Sequence, residues 1–142
     1  MEIVSAWLPR MEVGVMTTKT TKKTIRIFTD GAGQRPDGRG SGFAWLREDT
    51  GKQHIEWIDG LSNNEAEYRA VISALKSVAP GSGVELLTDS LLVVSQLRGE
   101  YRIIDPKLAK LASEVKTIAE QKKLNLKLTW VPRKENRAGK LL

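Results

Sequence analysis

The sequence predicts an α/β fold: a mixed five-stranded sheet, antiparallel through its first three strands and parallel after them, flanked by helices. Two observations predict this arrangement. Three β-rich stretches at 24–29, 41–46 and 53–58 are joined by short polar connections, the pattern of an antiparallel meander. From residue 63 onward helical and strand periodicities alternate, and strand–helix–strand units imply parallel pairing with helices over the sheet. The length of 142 residues, with 40% hydrophobic and 28% charged residues, suits one globular unit with a substantial core.

Each element has its own justification. Residues 1–23 lack periodicity and end in a Thr/Lys run, so they read as a poorly ordered extension before a domain over 24–142. The first strand is apolar and β-branched and runs into Asp30, with the Gly-rich stretch 31–40 read as a loop. In the third strand Ile55 and Trp57 share one face and His54 and Glu56 the other. A helix over 63–78 follows, with Ser62 or Asn63 placed to cap it and Pro80-Gly81-Ser82-Gly83 to end it. A short strand at 84–88 stops at Asp89-Ser90, and a short apolar helix occupies 90–97. Pro106 fits the first turn of another helix, whose Leu108, Leu111, Val115 and Ile118 form a one-sided stripe. Leu124, Leu126, Leu128 and Trp130 alternate with polar residues as a half-buried fifth strand, and the tail 131–142 has room for the start of one more helix.

Composition removes several kinds of chemistry. With no Cys there are no disulfides, no thiolate catalysis and no Cys-ligated zinc, and the single His54 is too little for a His-based metal site or triad. No apolar run approaches a membrane span, and Met1–Arg10 lacks the features of a signal peptide, so a cytoplasmic location is the expectation. The net charge of +6 is uneven: residues 98–142 hold 12 Lys/Arg against 5 Asp/Glu. That asymmetry points to a polyanionic partner, nucleic acid first.

The candidate chemistry lies in three acids. Helical geometry puts Glu67 on the same side as Val71, Ala74, Leu75 and Val78, while Glu65 faces away toward water. A desolvated carboxylate needs a partner, and no Lys or Arg lies on that stripe. Asp30 and Asp89 both follow apolar strands, and parallel pairing of those strands makes them neighbours. Three clustered acids repel one another unless hard cations neutralise them, and all-oxygen ligation selects magnesium or manganese. That is an arrangement for two-metal phosphoryl chemistry.

Phe28-Thr29-Asp30-Gly31, Asn63-Asn64-Glu65-Ala66-Glu67-Tyr68 and Leu87-Thr88-Asp89-Ser90 resemble, in order and spacing, the motifs of the type 1 ribonuclease H family. The resemblance runs from about Thr24 to Leu142, and Gly99-Glu100-Tyr101 leading into the next helix is similar to members that lack the basic protrusion. It implies the ribonuclease H fold and endonucleolytic cleavage of the RNA strand of RNA–DNA hybrids to 5′-phosphate and 3′-hydroxyl ends; no obligate protein partner is evident in the sequence, and a monomer is the expectation. It implies two Mg2+ (or Mn2+) ions with substrate bound, held by Asp30, Glu67 and Asp89 as catalytic acids. It also implies contacts to the hybrid from Gly31, Ser62, Asn63 and Asn64, the kind of contact to 2′-hydroxyls that tells RNA from DNA.

The chain departs from the family in its tail. The family's fourth acid follows an Asn in an Asn-x-x-Ala-Asp run, whereas Asn136-Arg137-Ala138-Gly139-Lys140 offers Lys140 there, or Gly139 if one residue is dropped. Arg133 stands where many members carry a mobile His, and Glu135 is a conceivable substitute ligand. The expectation is a hybrid-specific nuclease slowed by the missing carboxylate. Its rivals are a hybrid-binding protein on the same fold with weak or lost cleavage, and another nuclease or transposase-like member of the superfamily.

Overall fold

Strand β1 (Thr24–Arg35) is the centre of a five-stranded sheet. The structure, a computed structural model, describes residues 23–142, so the expectation for the N-terminal extension falls almost wholly outside the described residues. Strands β2 (Gly40–Arg47) and β3 (Gln53–Ile58) complete an antiparallel meander with β1; β4 (Gly83–Thr88) and β5 (Asn125–Trp130) add in parallel on its other side, giving the order β3-β2-β1-β4-β5. Helices α1 (Asn63–Lys76), α2 (Leu91–Leu97) and α3 (Pro106–Gln121) form the connections. The predicted mixed sheet flanked by helices is the observed one.

The two faces of the sheet are filled unequally. Ile27, Trp45, Leu86, Leu126 and Leu128 meet Tyr68, Val71, Leu75, Val94, Leu97 and Val115 from the helices in the main core. On the opposite face Phe28, Leu46 and Leu87 pack with Ala138, Val131 and Leu141 of the tail. That tail makes two short 3-10 turns, Arg133–Glu135 and Arg137–Leu141, in place of an α-helix. Ile55 and Trp57 do share a face, as their alternation predicts. They nevertheless stay 41% and 49% exposed on an edge strand, with the Arg35 guanidinium 5.5 Å from the Trp57 ring centroid.

One reading changes. The stretch 31–40 is not all loop, because β1 continues to Arg35 and pairs Gly31 with Phe43, Ala32 with Gly42 and Arg35 with Gly40. Glycine here serves close approach rather than a turn. A Cβ on Gly31 would lie 2.3 Å from Ala66 C and 2.4 Å from Glu67 N, so α1 crosses β1 in contact with its bare backbone.

Candidate active site

That crossing is what places Glu67. Asp30 sits on β1 two residues past the last parallel pair, Phe28 with Leu87, and Asp89 follows the end of β4. The close approach over Gly31 then brings the first turns of α1 to the same spot. Asp30, Glu67 and Asp89 each offer a carboxylate oxygen within 4.8 Å of the others.

The start of α1 is held by short-range chemistry. Ser62 Oγ accepts from Glu65 N–H at 3.1 Å, and Glu65 Oε1 accepts from Ser62 N–H at 2.9 Å, a reciprocal capping box. Glu65, which helical phase turns away from the apolar stripe, thus has a structural task. Asn63 Oδ1 accepts from Gly33 N–H at 2.6 Å, tying the helix start to β1. Asn64 is exposed beside it.

The electrostatics of the cluster are unfavourable without a cation. Asp30 is buried at 3% exposure, and its Oδ1 and Glu67 Oε1 have neither solvent contact nor a hydrogen-bond partner. Burial, followed by the charge of Asp89, raises the Asp30 carboxyl to about 6, against the pull of Arg133. Burial, then the charges of Asp30 and Asp89, raises Glu67 to about 9. Two orphaned, desolvated carboxylate oxygens beside a third carboxylate are a donor set that fits a hard divalent cation. Arg133 supplies only partial compensation: its Nη1 is 3.7 Å from Asp89 Oδ2, on a side chain 83% exposed.

The tail completes the site. Ala138 is fully buried, and a Cβ on Gly139 would lie 3.3 Å from Asp30 Oδ2. Of the two alternatives, Gly139 therefore stands against the acids. Glu135 is exposed and does not join the group of acids. Asn136, noted in the sequence only as a reference point, is buried at 2% exposure and bonded to both β1 and Asp89. An Asn inside a basic tail carries no periodic signal, and its burial depends on where the tail folds back.

The chain matches known proteins in sequence and in fold. A family model described as RNase H matches residues 22–137. The chain is 37% identical over 82 residues to the Bifunctional protein Rv2228c of Mycobacterium tuberculosis, covering 56% of this chain and 22% of that protein. It is 44% identical over 70 residues to the ribonuclease H of Polynucleobacter asymbioticus, covering 49% of this chain and 46% of that one. The matched part thus spans less than half the length of either relative. Among solved structures, RNase H1 from the halophilic archaeon Halobacterium salinarum superposes with a TM-score of 0.74 at 28% identity, over 84% of this chain and 94% of that one. LC11-RNase H1 in complex with an RNA/DNA hybrid gives 0.69 at 30% identity, over 83% and 93%.

Proposed function

The chain belongs to the ribonuclease H family, and from that premise we propose that it is a divalent-metal-dependent endonuclease cleaving the RNA strand of RNA–DNA hybrids. The observation that carries the proposal is the convergence of Asp30, Glu67 and Asp89, two of them with buried, unpartnered oxygens, beyond the parallel strands. LC11-RNase H1 is in complex with an RNA/DNA hybrid, which supports a hybrid as the substrate here. Two Mg2+ or Mn2+ ions bound at these acids would supply water activation and neutralise the charge developing on the leaving oxygen. The expected products carry 5′-phosphate and 3′-hydroxyl ends.

The chain's own residues divide the remaining work. Gly31 and the start of α1 present backbone and short polar groups beside the acids. Asn63 uses its carbonyl oxygen on Gly33, which leaves the NH2 of an exposed side chain to donate to the hybrid. Ser62 and Asn64 flank it at the exposed helix start, where N–H groups favour phosphate. Arg133, exposed and 3.7 Å from Asp89, would meet a phosphate entering the site.

A second reading rests on Gly139. With hydrogen where a fourth carboxylate would stand, the site has one ligand fewer, and binding with slow or lost cleavage follows. Incubating purified protein with a labelled hybrid in Mg2+ and then Mn2+ decides between the two. Cleavage lost in D30N, E67Q and D89N supports the enzyme; hybrid binding without cleavage in either ion supports the alternative. A protein that neither binds nor cuts the hybrid refutes both.

A further inference from the structure

Asn136 uses every hydrogen-bonding atom of its buried amide. Nδ2 donates to Thr29 O at 2.9 Å and, over a longer 3.4 Å, to Asp89 Oδ2; Oδ1 accepts from Ala138 N–H at 3.1 Å. These partners fix the orientation of the amide. Turned over, its oxygen would face a carbonyl and a carboxylate, and its NH2 would face an N–H. Capping the turn Arg137–Leu141 does not by itself require Asn, since Ser, Thr or Asp can also accept from such an N–H. The Ser, Thr and Asp side chains cannot donate two hydrogen bonds at once, to Thr29 and to Asp89.

We propose that Asn136 is a positioning residue for the acidic cluster, orienting the Asp89 carboxylate and registering it against β1 at the residue preceding Asp30. The inference rests on the reading of the cluster as a divalent-cation centre. The Asp89 side chain is 6% exposed, and two cationic or amide donors approach its Oδ2. Arg133 approaches the same Oδ2 only at 3.7 Å, from a side chain 83% exposed, whereas Asn136 approaches from a buried amide. The tail itself has other anchors, because Arg137 lies 3.6 Å from Glu48 and 5.7 Å from the Phe28 ring centroid. Fixing the tail and fixing Asp89 are therefore separable.

The test is Mg2+ binding by calorimetry on the full chain, with no turnover required. N136S keeps a capping oxygen but has one donor where two are needed, and its Mg2+ affinity should fall about 10-fold, at the lower end for groups that orient a metal ligand. R137A loosens the tail without touching Asp89; it should lower the melting temperature and leave Mg2+ affinity unchanged. Unaltered Mg2+ affinity in N136S, with folding verified by its thermal transition, overturns the proposal. So does an equal loss in R137A, which would make tail anchoring the whole effect. D89N separates this proposal from the reading beneath it. If D89N binds Mg2+ like the wild type, the cation centre itself is refuted. If D89N loses binding and N136S does not, only the role of Asn136 falls.

Discussion

Glu67 makes the metal-free protein pH-sensitive. Its carboxyl is raised from 4.5 to about 9, so the folded chain holds this proton more tightly than the unfolded chain does. The unfolded state therefore binds fewer protons across that window, and stability falls as pH rises through it. Metal-free protein should melt progressively lower from about pH 5 to about pH 9. E67Q should flatten that decline, and saturating Mg2+ should remove it by binding only the folded state. Thermal melts of wild type and E67Q with EDTA or Mg2+ check this, and parallel pH profiles for the two proteins in EDTA would contradict it. Gly139 gives the complementary residue-scale prediction. G139D places a fourth carboxylate beside Asp30, so the metal-free protein should lose stability while Mg2+ affinity rises about tenfold with the added ligand charge. Cleavage in Mg2+ should rise with it, and K140D should show neither change.

At the scale of elements, the site depends on how closely one helix can approach one strand. Gly31 sets that distance, since its missing Cβ is the space in which the backbone of Ala66 and Glu67 lies. G31A must push α1 off β1, and overpacking of that kind costs about 1–3 kcal/mol. The displaced helix carries Glu67 away from Asp30, so Mg2+ affinity should fall together with the melting temperature. A destabilised G31A with wild-type Mg2+ affinity would show that the crossing does not set the site. S62A instead removes only the cap, at about 1 kcal/mol, and should leave Mg2+ binding nearly intact.

For the whole molecule, the positive charge after Leu97 has two kinds of work. Lys122 donates to the carbonyls of Leu75, Lys76 and Val78 at 3.2, 2.8 and 2.7 Å, sealing the C-terminal end of α1. Lys107 and Lys110 instead line, with Arg69 and Lys76 and the acids Glu56, Glu65 and Glu114, a groove of about 530 Å³ where α1 and α3 meet the β2–β3 end of the sheet. Hybrid affinity should fall steeply with salt, by about one power of salt concentration for each phosphate neutralised. K107A and K110A should each reduce that slope by about one. K122A should leave the slope alone and lower the melting temperature, because the helix end loses its donor. Fluorescence anisotropy over a salt series reads the slopes, and binding indifferent to salt would reject the nucleic-acid reading of this charge.

Much of this was legible in the residues alone, because periodicity and strand-end acids are local signals. The alternation from Leu124 to Trp130, the stripe of α3 and the helical phase of Glu67 each report one face of one element. The placing of Asp30 and Asp89 as neighbours needed only the rule that parallel strands end side by side, and the pairing of β1 with β4 is indeed parallel. Other features depended on groups far apart in sequence. The glycines at 31 and 33 look like loop residues until α1 is laid across them, and only then do they read as a strand kept bare for a helix. The choice between Gly139 and Lys140 turned on where two short turns carry the tail. Packing of Ala138 and Leu141 against Phe28, Leu46 and Leu87 and the contacts of Arg137 with Glu48 and Phe28 hold those turns, and no window of sequence contains such pairs. Sequence by itself determined which elements form and which acids face inward, since those are properties of a segment. Tertiary structure decided how closely the segments approach, because burial and contact distance belong to pairs of segments.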